Sequence, residues 1–524
     1  MFGTKAITDY FLKKDVHDIF YLPGIHTLSF SEILAQQNIN VFVGRHEGNL
    51  AFMADGFAKT SHRIGVVIVT PGPGLGNVVS GCMEAYGDDI PLLIIHFDTG
   101  REEVGKGILH EVEEPGNIFA HITKKTFFVS SPQDLVPTLD AAYRTALMGR
   151  KGPVLISIPY HLLRKDVPFE LSGNHNHRAQ PHLAGLESIL DGKKRPILIG
   201  GKSLMTEQAR PLLEEICGKS SIPFLTTTSG KGIVDERHPW CFGAITQKGI
   251  VKDILSSADI TIAVGTRLRA ADTKKRGVRI QELVHIDVDD RWMGKNYPVR
   301  FKITGDIVEA LSYLGDSLKG RRFGWDLHDL KKTQQTERDG LYKEFDGCRI
   351  IDLLRETIPQ NTTTVWDLNM LSYWAEYYFP VYEQDTFLMP RGSSSIFYGL
   401  PAAIGAKLAR PDRPCLSICG DGGVLPTMSE LTTMQRYQIP VVVFVYNNNS
   451  FGVLEHYMKD RYSLAGTMAL NNPDFVQIAR AFGMGAKRAK TLQTLRTILL
   501  RDVTWDKPYL IEFDYPLILP PWKS

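Results

Sequence analysis

The sequence is poor in the features that would mark a specialised chain. Its six cysteines, Cys82, Cys217, Cys241, Cys348, Cys415 and Cys419, form no CxxC pair and no framework spacing. That excludes a disulfide scaffold and a thiolate zinc site, and reads as reduced, packed side chains. Neither sign of charge dominates: the formal net charge is +2. No nucleic acid or other polyelectrolyte partner is implied. Apolar runs such as 441–446 are only strand-length, so no membrane span is expected. Met1-Phe2-Gly3-Thr4-Lys5 leads straight into amphipathic sequence without a signal-peptide pattern, so a cytoplasmic location is expected. What remains is ordinary globular composition, 43% hydrophobic and 23% charged. The length of 524 residues fits about three domains.

The chain is organised around residues 414–452. Leu416 to Cys419 is a short apolar run that stops at Gly420-Asp421-Gly422-Gly423. Glycines there suit a sharp turn and close approach to a ligand. Thr427 to Tyr437 has helical spacing, with Met428, Leu431, Met434 and Gln435 on one face. Pro440 ends it, and Val441 to Tyr446 reads as a buried strand running into Asn447-Asn448-Asn449. Such a βαβ unit sets both polar turns at the carboxyl ends of neighbouring parallel strands. One carboxylate, Asp421, and the amide oxygens of the second turn suit Mg²⁺, which keeps few protein ligands. The neighbouring Gly-Gly amides suit phosphate. Each turn alone is an ordinary loop feature; the pair at this spacing points to a metal-bound diphosphate.

These residues carry a resemblance. GDG followed some two dozen residues later by NN is similar to the thiamine diphosphate (ThDP) motif. With GLPAAIGAKLARPDRP before it and NNNSFG within it, the stretch resembles the acetolactate synthase, benzoylformate decarboxylase and benzaldehyde lyase group. The resemblance implies that Asp421, Asn448 and the Ser450 carbonyl hold Mg²⁺. It further implies that Gly420, Gly422, Gly423, Phe451 and Gly452 lie against the cofactor.

Strand-like and helix-like segments alternate along the whole chain. That predicts an α/β protein of three doubly wound parallel-sheet domains, 1–165, 186–320 and 348–524. Polar stretches 166–185 and 321–347 read as linkers. His175 and His177 in the first are expected to be solvated rather than a metal pair. In the first unit, strands are expected at 18–22, 40–43, 65–69, 91–97 and 153–159. In the second, Gly200-Gly201-Lys202-Ser203 looks like the tail of a phosphate loop, but Pro196 stands where its first glycine should be. The stretch IDVDDRWMGKNYPVRFKITGD of the second unit resembles the central domain of the acetolactate synthase and pyruvate oxidase group, in which some members hold FAD. No GxGxxG is present and 240–280 is short, so FAD is the lesser alternative. In the third unit Pro508 to Phe513 is expected to close the sheet.

Glu47 lies between a strand and a small-residue helix, where the helix dipole favours a carboxylate. By position alone it is an ordinary helix-start acid. RHEGNLAFMADGFA, however, resembles the family stretch whose Glu bonds N1′ of the aminopyrimidine and drives its tautomerisation. The 70–77 loop resembles the one that lies against that ring, implicating Gly72, Pro73 and Asn77. Asn369 and Ser394 match further cofactor positions, and Ile396 matches the apolar side chain that bends the cofactor. His26, in PGIH, resembles a proton-relaying histidine of benzaldehyde lyase. His110 and Glu111 fall where relatives carry a substrate-facing residue. Leu454 stands where pyruvate-decarboxylase-like enzymes carry a Glu, with Glu455 one place off, and Tyr457 replaces the tryptophan of acetolactate synthases.

The reading is a ThDP- and Mg-dependent carboligase or lyase acting on 2-oxo acids. The alternatives are a non-ligating decarboxylase and a non-catalytic ThDP-binding protein. Glu47 and Asp421 sit in different domains, and in the family they meet across subunits. A homodimer or homotetramer with shared sites is therefore expected.

Overall fold

The computed structural model describes residues 1–34, 36–170, 181, 183, 185–462 and 468–521. Three six-stranded sheets, every pairing parallel, follow one another along the chain. The first holds β1 (Asp18–Tyr21), β2 (Asn40–Val43), β3 (Gly65–Val69), β4 (Leu92–Asp98), β5 (Thr126–Phe128) and β6 (Val154–Pro159). The second holds β7 (Pro196–Gly200), β8 (Phe224–Thr226), β9 (Cys241–Ala244), β10 (Ile260–Val264), β11 (Leu283–Asp287) and β12 (Phe301–Thr304). The third holds β13 (Thr363–Trp366), β14 (Phe387–Leu388), β15 (Cys415–Gly420), β16 (Val441–Asn447), β17 (Gly485–Ala489) and β18 (Tyr509–Asp514). Central strands such as β4, β6 and β16 are buried along their whole length. Helices cover both faces, which is why these runs are continuously apolar.

The first and third sheets share one order, β2-β1-β3-β4-β6-β5 and β14-β13-β15-β16-β18-β17. The second runs β12-β11-β10-β7-β8-β9. In the outer sheets the order reverses between the first and third strands, and that reversal opens a crevice at their carboxyl ends. The expectation that 508–513 closes the third sheet is corrected. β18 lies inside, paired with β16 on one side and β17 on the other. Lys487 and Arg488 of β17 face solvent, so its sequence offers no apolar run.

The stretch 321–347, read as a linker, carries the helix Leu327–Glu344, which has no buried residue. Asp326 caps it by accepting from Asp329 N at 3.0 Å. Its polar side chains seal the edge of the second sheet. Lys331 and Gln334 donate to the carbonyls of Cys241 and Phe242 on β9. His175 and His177 lie outside the described residues.

The first and third units meet where the helix Glu47–Ser61 crosses the helix Gly399–Ala409. A Cβ on Gly56 would strike Ala402 O, and one on Gly405 would strike Met53 O. Glycine at both positions lets the backbones touch. Beside them Lys59 is buried between Asp55, at 2.9 Å, and Asp88, at 3.0 Å. Burial pushes the Asp55 carboxyl up to about 6, while Lys59 and Arg269 hold Asp88 down near 2 against the opposing cost of its burial. Removing one partner from such a buried set leaves a charge uncompensated.

Candidate active site

Two strand-end faces carry the sequence-predicted residues. On the third unit, β15 ends at Gly420, and Asp421 opens a helix whose first-turn amides have no intrahelical acceptor. Asp421 is buried, 3% exposed. Its carboxylate accepts Gly422 N at 3.0 Å, Ser450 N at 3.2 Å and Asn472 Nδ2 at 2.7 Å. Burial raises its pKa, and the hydrogen bonds oppose that rise. β16 delivers the second turn alongside, with Gly420 in register with Tyr446. Asp421 and Ser450 are thus in direct contact. Asn448 lies half-buried two residues earlier, its amide packed where a Cβ on Gly452 would intrude.

The glycines of this turn do not have positive φ. Close approach requires them instead. A Cβ on Gly423 would lie 2.9 Å from the Asp367 carboxylate, and one on Gly422 would lie 2.5 Å from the Phe451 ring. Burial pushes Asp367, at the end of β13, up to about 7.

Asn369 plays a part that the sequence left open. Its Oδ1 caps the helix Met370–Tyr378, accepting Leu371 N at 2.9 Å and Ser372 N at 3.0 Å. Its Nδ2 donates to Asp367 O and Ile418 O. The side chain is committed to the fold. Ser394 is exposed in a left-handed turn, φ 59°. Ile396 is 41% exposed, Phe451 39% and Leu454 51%. Glu455 accepts Ser450 Oγ at 2.5 Å and pairs with Lys459 at 2.6 Å. The 391–395 loop is fastened by a residue the sequence gave no cause to single out. Glu84, fully buried, accepts Gly392 N, Ser393 N, Ser393 Oγ and Ser395 N.

On the first unit, β2 ends before Glu47, which begins its helix and is 8% exposed. Asn77 Nδ2 donates to Glu47 Oε2 at 2.9 Å. Pro73 opens the helix Pro73–Asn77, with Gly72 before it at φ 64°. This loop joins the predicted residues. A Cβ on Gly74 would lie 3.3 Å from Glu47 Oε1, and one on Gly72 would lie 3.0 Å from His110. His26 and His110 stand with ring centroids 5.4 Å apart, and Tyr160 meets His26 edge-on at 5.3 Å. Burial and the neighbouring imidazole both push His26 below the ordinary imidazole range. Glu111 turns back on its own loop, accepting from the amides of Gly105, Gly107 and Ile108. Those bonds hold its carboxyl below the usual range and give it a loop-closing part.

In the middle sheet the strand ends are partly occupied by side chains and partly open, with a cavity of about 1000 Å³ lined by Lys202, Ser203, Val288 and Asp306. Arg150 and Arg267 lie over Trp292, at 5.2 and 5.5 Å, and both engage Asp89. The space left there is about 40 Å³.

Three family models match in series. The N-terminal thiamine pyrophosphate (TPP) binding domain matches residues 1–117, the central TPP-enzyme domain 183–314, and the C-terminal TPP binding domain 367–513. The chain is 30% identical to a probable 2-ketoarginine decarboxylase of Pseudomonas aeruginosa, covering 92% of this chain and 88% of the relative. It is 28% identical to a probable acetolactate synthase large subunit of Methanocaldococcus jannaschii, over 98% and 91%. It is 26% identical to the acetolactate synthase isozyme 2 large subunit of Escherichia coli, over 99% and 98%.

Proposed function

Because the chain belongs to the thiamine pyrophosphate enzyme family, we propose that it is a ThDP- and Mg²⁺-dependent carboligase of 2-oxo acids, similar to acetolactate synthase. When bound, the cofactor supplies a nucleophilic thiazolium carbon that adds to a 2-oxo acid carbonyl with loss of CO₂. The donor set fits the group. Asp421, the Asn448 side chain and the Ser450 carbonyl would hold the cation. The Gly423 amide would meet the diphosphate, with Gly422, whose N–H is taken by Asp421 Oδ1, allowing its close approach. Glu47 would exchange a proton with the aminopyrimidine. Asn77 holds that carboxylate in place. The buried Nδ1 atoms of His26 and His110, which have no hydrogen-bond partner among the described residues, would hold or move a proton at the substrate.

One observation carries this reading: the same topological crevice occurs twice, once with a metal-type turn and once with a buried carboxylate. Ligation rather than simple decarboxylation is supported at residue 454. Apolar Leu454 stands there, and the neighbouring Glu455 is engaged by Ser450 and Lys459. The P. aeruginosa relative keeps decarboxylation as the second reading. FAD stays the lesser alternative, since the second unit carries no GxGxxG and its 240–280 stretch is short. Mass spectrometry of products from a panel of 2-oxo acids, with ThDP and Mg²⁺, tests it. Acyloins or acetohydroxy acids are expected; aldehydes alone would select the second reading, and no turnover of any acid would remove both.

The site is further proposed to lie between two copies of the chain. Within one chain, Glu47 and Asp421 are separated by packed core. Glu47 sits about 18 Å along its helix from Lys59, which packs at Tyr398 beside the third unit's strand ends. Arg45 N and Asn49, flanking Glu47, instead bond Glu430, at the far end of the segment that Asp421 opens. Each face also exposes apolar side chains: Ile25, Leu28 and Leu109 on one, Ile396, Leu425, Phe451 and Leu454 on the other. A second copy would cover both.

A further inference from the structure

Asn472 is absent from every motif above, yet it touches the central carboxylate. Its Nδ2 donates to Asp421 Oδ2 at 2.7 Å and to Asn447 Oδ1 at 3.1 Å. The direction of that amide is fixed by a buried chain of polar groups. Glu512, 2% exposed, is held by Arg488 at 2.8 Å. As a carboxylate it only accepts. Asn447 must therefore give it Nδ2, which it does at 2.9 Å. Asn447 Oδ1 then faces the turn, accepting Asn449 N at 3.1 Å and Asn472. With an acceptor on each side, Asn472 can present only its NH₂ group.

The backbone places it there. Residues 468–470 pair antiparallel with the metal turn. Phe451 N donates to Met468 O at 2.9 Å, Leu470 N donates to Asn449 O at 2.7 Å, and Ser450 bridges Ala469. Leu470 lies against Gly422. The result at Asp421 is asymmetric. Oδ2 receives Ser450 N and Asn472, while Oδ1 receives Gly422 N. Oδ1 is the less occupied oxygen, and a carboxylate has about four lone-pair sites in all.

We propose that Asn472 is a positioning residue for the cation. It pins Asp421 Oδ2 so that Oδ1 is presented to Mg²⁺, and it thereby sets the metal affinity of the site. The proposal rests on the reading of Asp421 as a metal ligand. Partners that orient a ligand in this way typically contribute 10–100-fold in metal affinity.

The test titrates the full chain with Mn²⁺, alone and with ThDP, following the free-Mn²⁺ electron paramagnetic resonance signal. Asn472→Ala and the near-isosteric Asn472→Asp should each weaken Mn²⁺ binding about 10–100-fold. Asn472→Ala leaves the oxygens of Asp421 and Asn447 without their donor and should also lower the metal-free melting temperature, so affinities are read at a temperature where every metal-free variant is fully folded. Native affinity in both variants overturns the proposal. So does tighter binding in Asn472→Asp, which would make residue 472 a ligand. A loss of affinity confined to temperatures at which the metal-free variant unfolds also overturns it, because the role would then be structural. Asp421→Asn is the separate control: if it keeps native Mn²⁺ affinity, the metal-site reading itself fails, whatever Asn472 does.

Discussion

Glu47 is a single carboxylate at the start of a helix, 8% exposed and held by one amide from Asn77. Gln at this position can still accept from Asn77, so the fold should survive while the proton-exchanging group is lost. Glu47→Gln is expected to lower product formation by about 10²–10⁴, and to slow deuterium exchange at the thiazolium carbon of bound ThDP, read by NMR. Asp287, at the end of β11, poses the opposite case. Burial pushes its carboxyl up to about 7. A raised acid pKa means that the folded chain binds the proton more tightly than the unfolded one, so its contribution falls as pH rises from about 4 to 7. Asn keeps the acceptor for Val288 N, now made at 2.7 Å. Asp287→Asn should therefore gain stability over the native chain progressively across that window, with a constant difference above it, measured by denaturant melts at stepped pH. Sequence marked Asp421 beside its glycines by residue type and spacing, whereas Glu47 stood out only through the family resemblance of its stretch, its position alone being that of an ordinary helix-start acid. It was silent on Glu84, Asn472 and the capping role of Asn369. Glu84 and Asn472 take their parts from groups brought from elsewhere in the fold, the 392–395 loop for one and the side-chain oxygens of Asp421 and Asn447 for the other, while Asn369 caps the helix that follows it; a lone Glu in the helix Val79–Asp88 carries no mark of the four donors it will meet.

Among elements, the central strands and the β2 edge were legible, and most other margins were not. β3, β4, β10, β15 and β16 are continuous apolar runs because both of their faces are covered. β5, β8, β9, β12 and β17 are short, and most lie at sheet edges where one side meets solvent or a helix. The polar helix Leu327–Glu344 was hidden for a related reason. It contributes hydrogen bonds to an open strand edge rather than an apolar face, so no 3.6-residue stripe betrays it. The crossing of the Glu47–Ser61 and Gly399–Ala409 helices was half legible, as a run of small residues. The structure adds which glycines the contact requires. Gly405→Ala puts a methyl group against Met53 O, where no flexible side chain can yield. The helices must separate, at a cost of about 1–3 kcal/mol or more, and the midpoint of urea unfolding should fall accordingly. An alanine at Gly76, which faces open space, serves as the control.

At the scale of the whole molecule, the repeated strand order of the outer units bears on the proposed assembly. Each unit opens its crevice at the switch between first and third strands, and on the proposed function each crevice would supply half of the chemistry. The Glu47–Ser61 helix packs antiparallel on Gly399–Ala409, so its carboxylate end is directed away from the Asp421 turn of the same chain. The proposed two-fold dimer would resolve this by bringing each face to its counterpart twice over. Mixing two inactive variants makes the geometry measurable. Let one chain carry Glu47→Gln and the other Asp421→Asn. If each site draws Glu47 from one copy and Asp421 from the other, a mixed dimer holds one doubly disabled site and one wholly native site. Random pairing makes half of the dimers mixed, so co-expression should restore about a quarter of native activity from two dead parents. If both residues served one site within a single chain, every site would keep one lesion and the mixture would stay inactive. Turnover of co-expressed and separately expressed proteins, at matched total concentration, distinguishes the two.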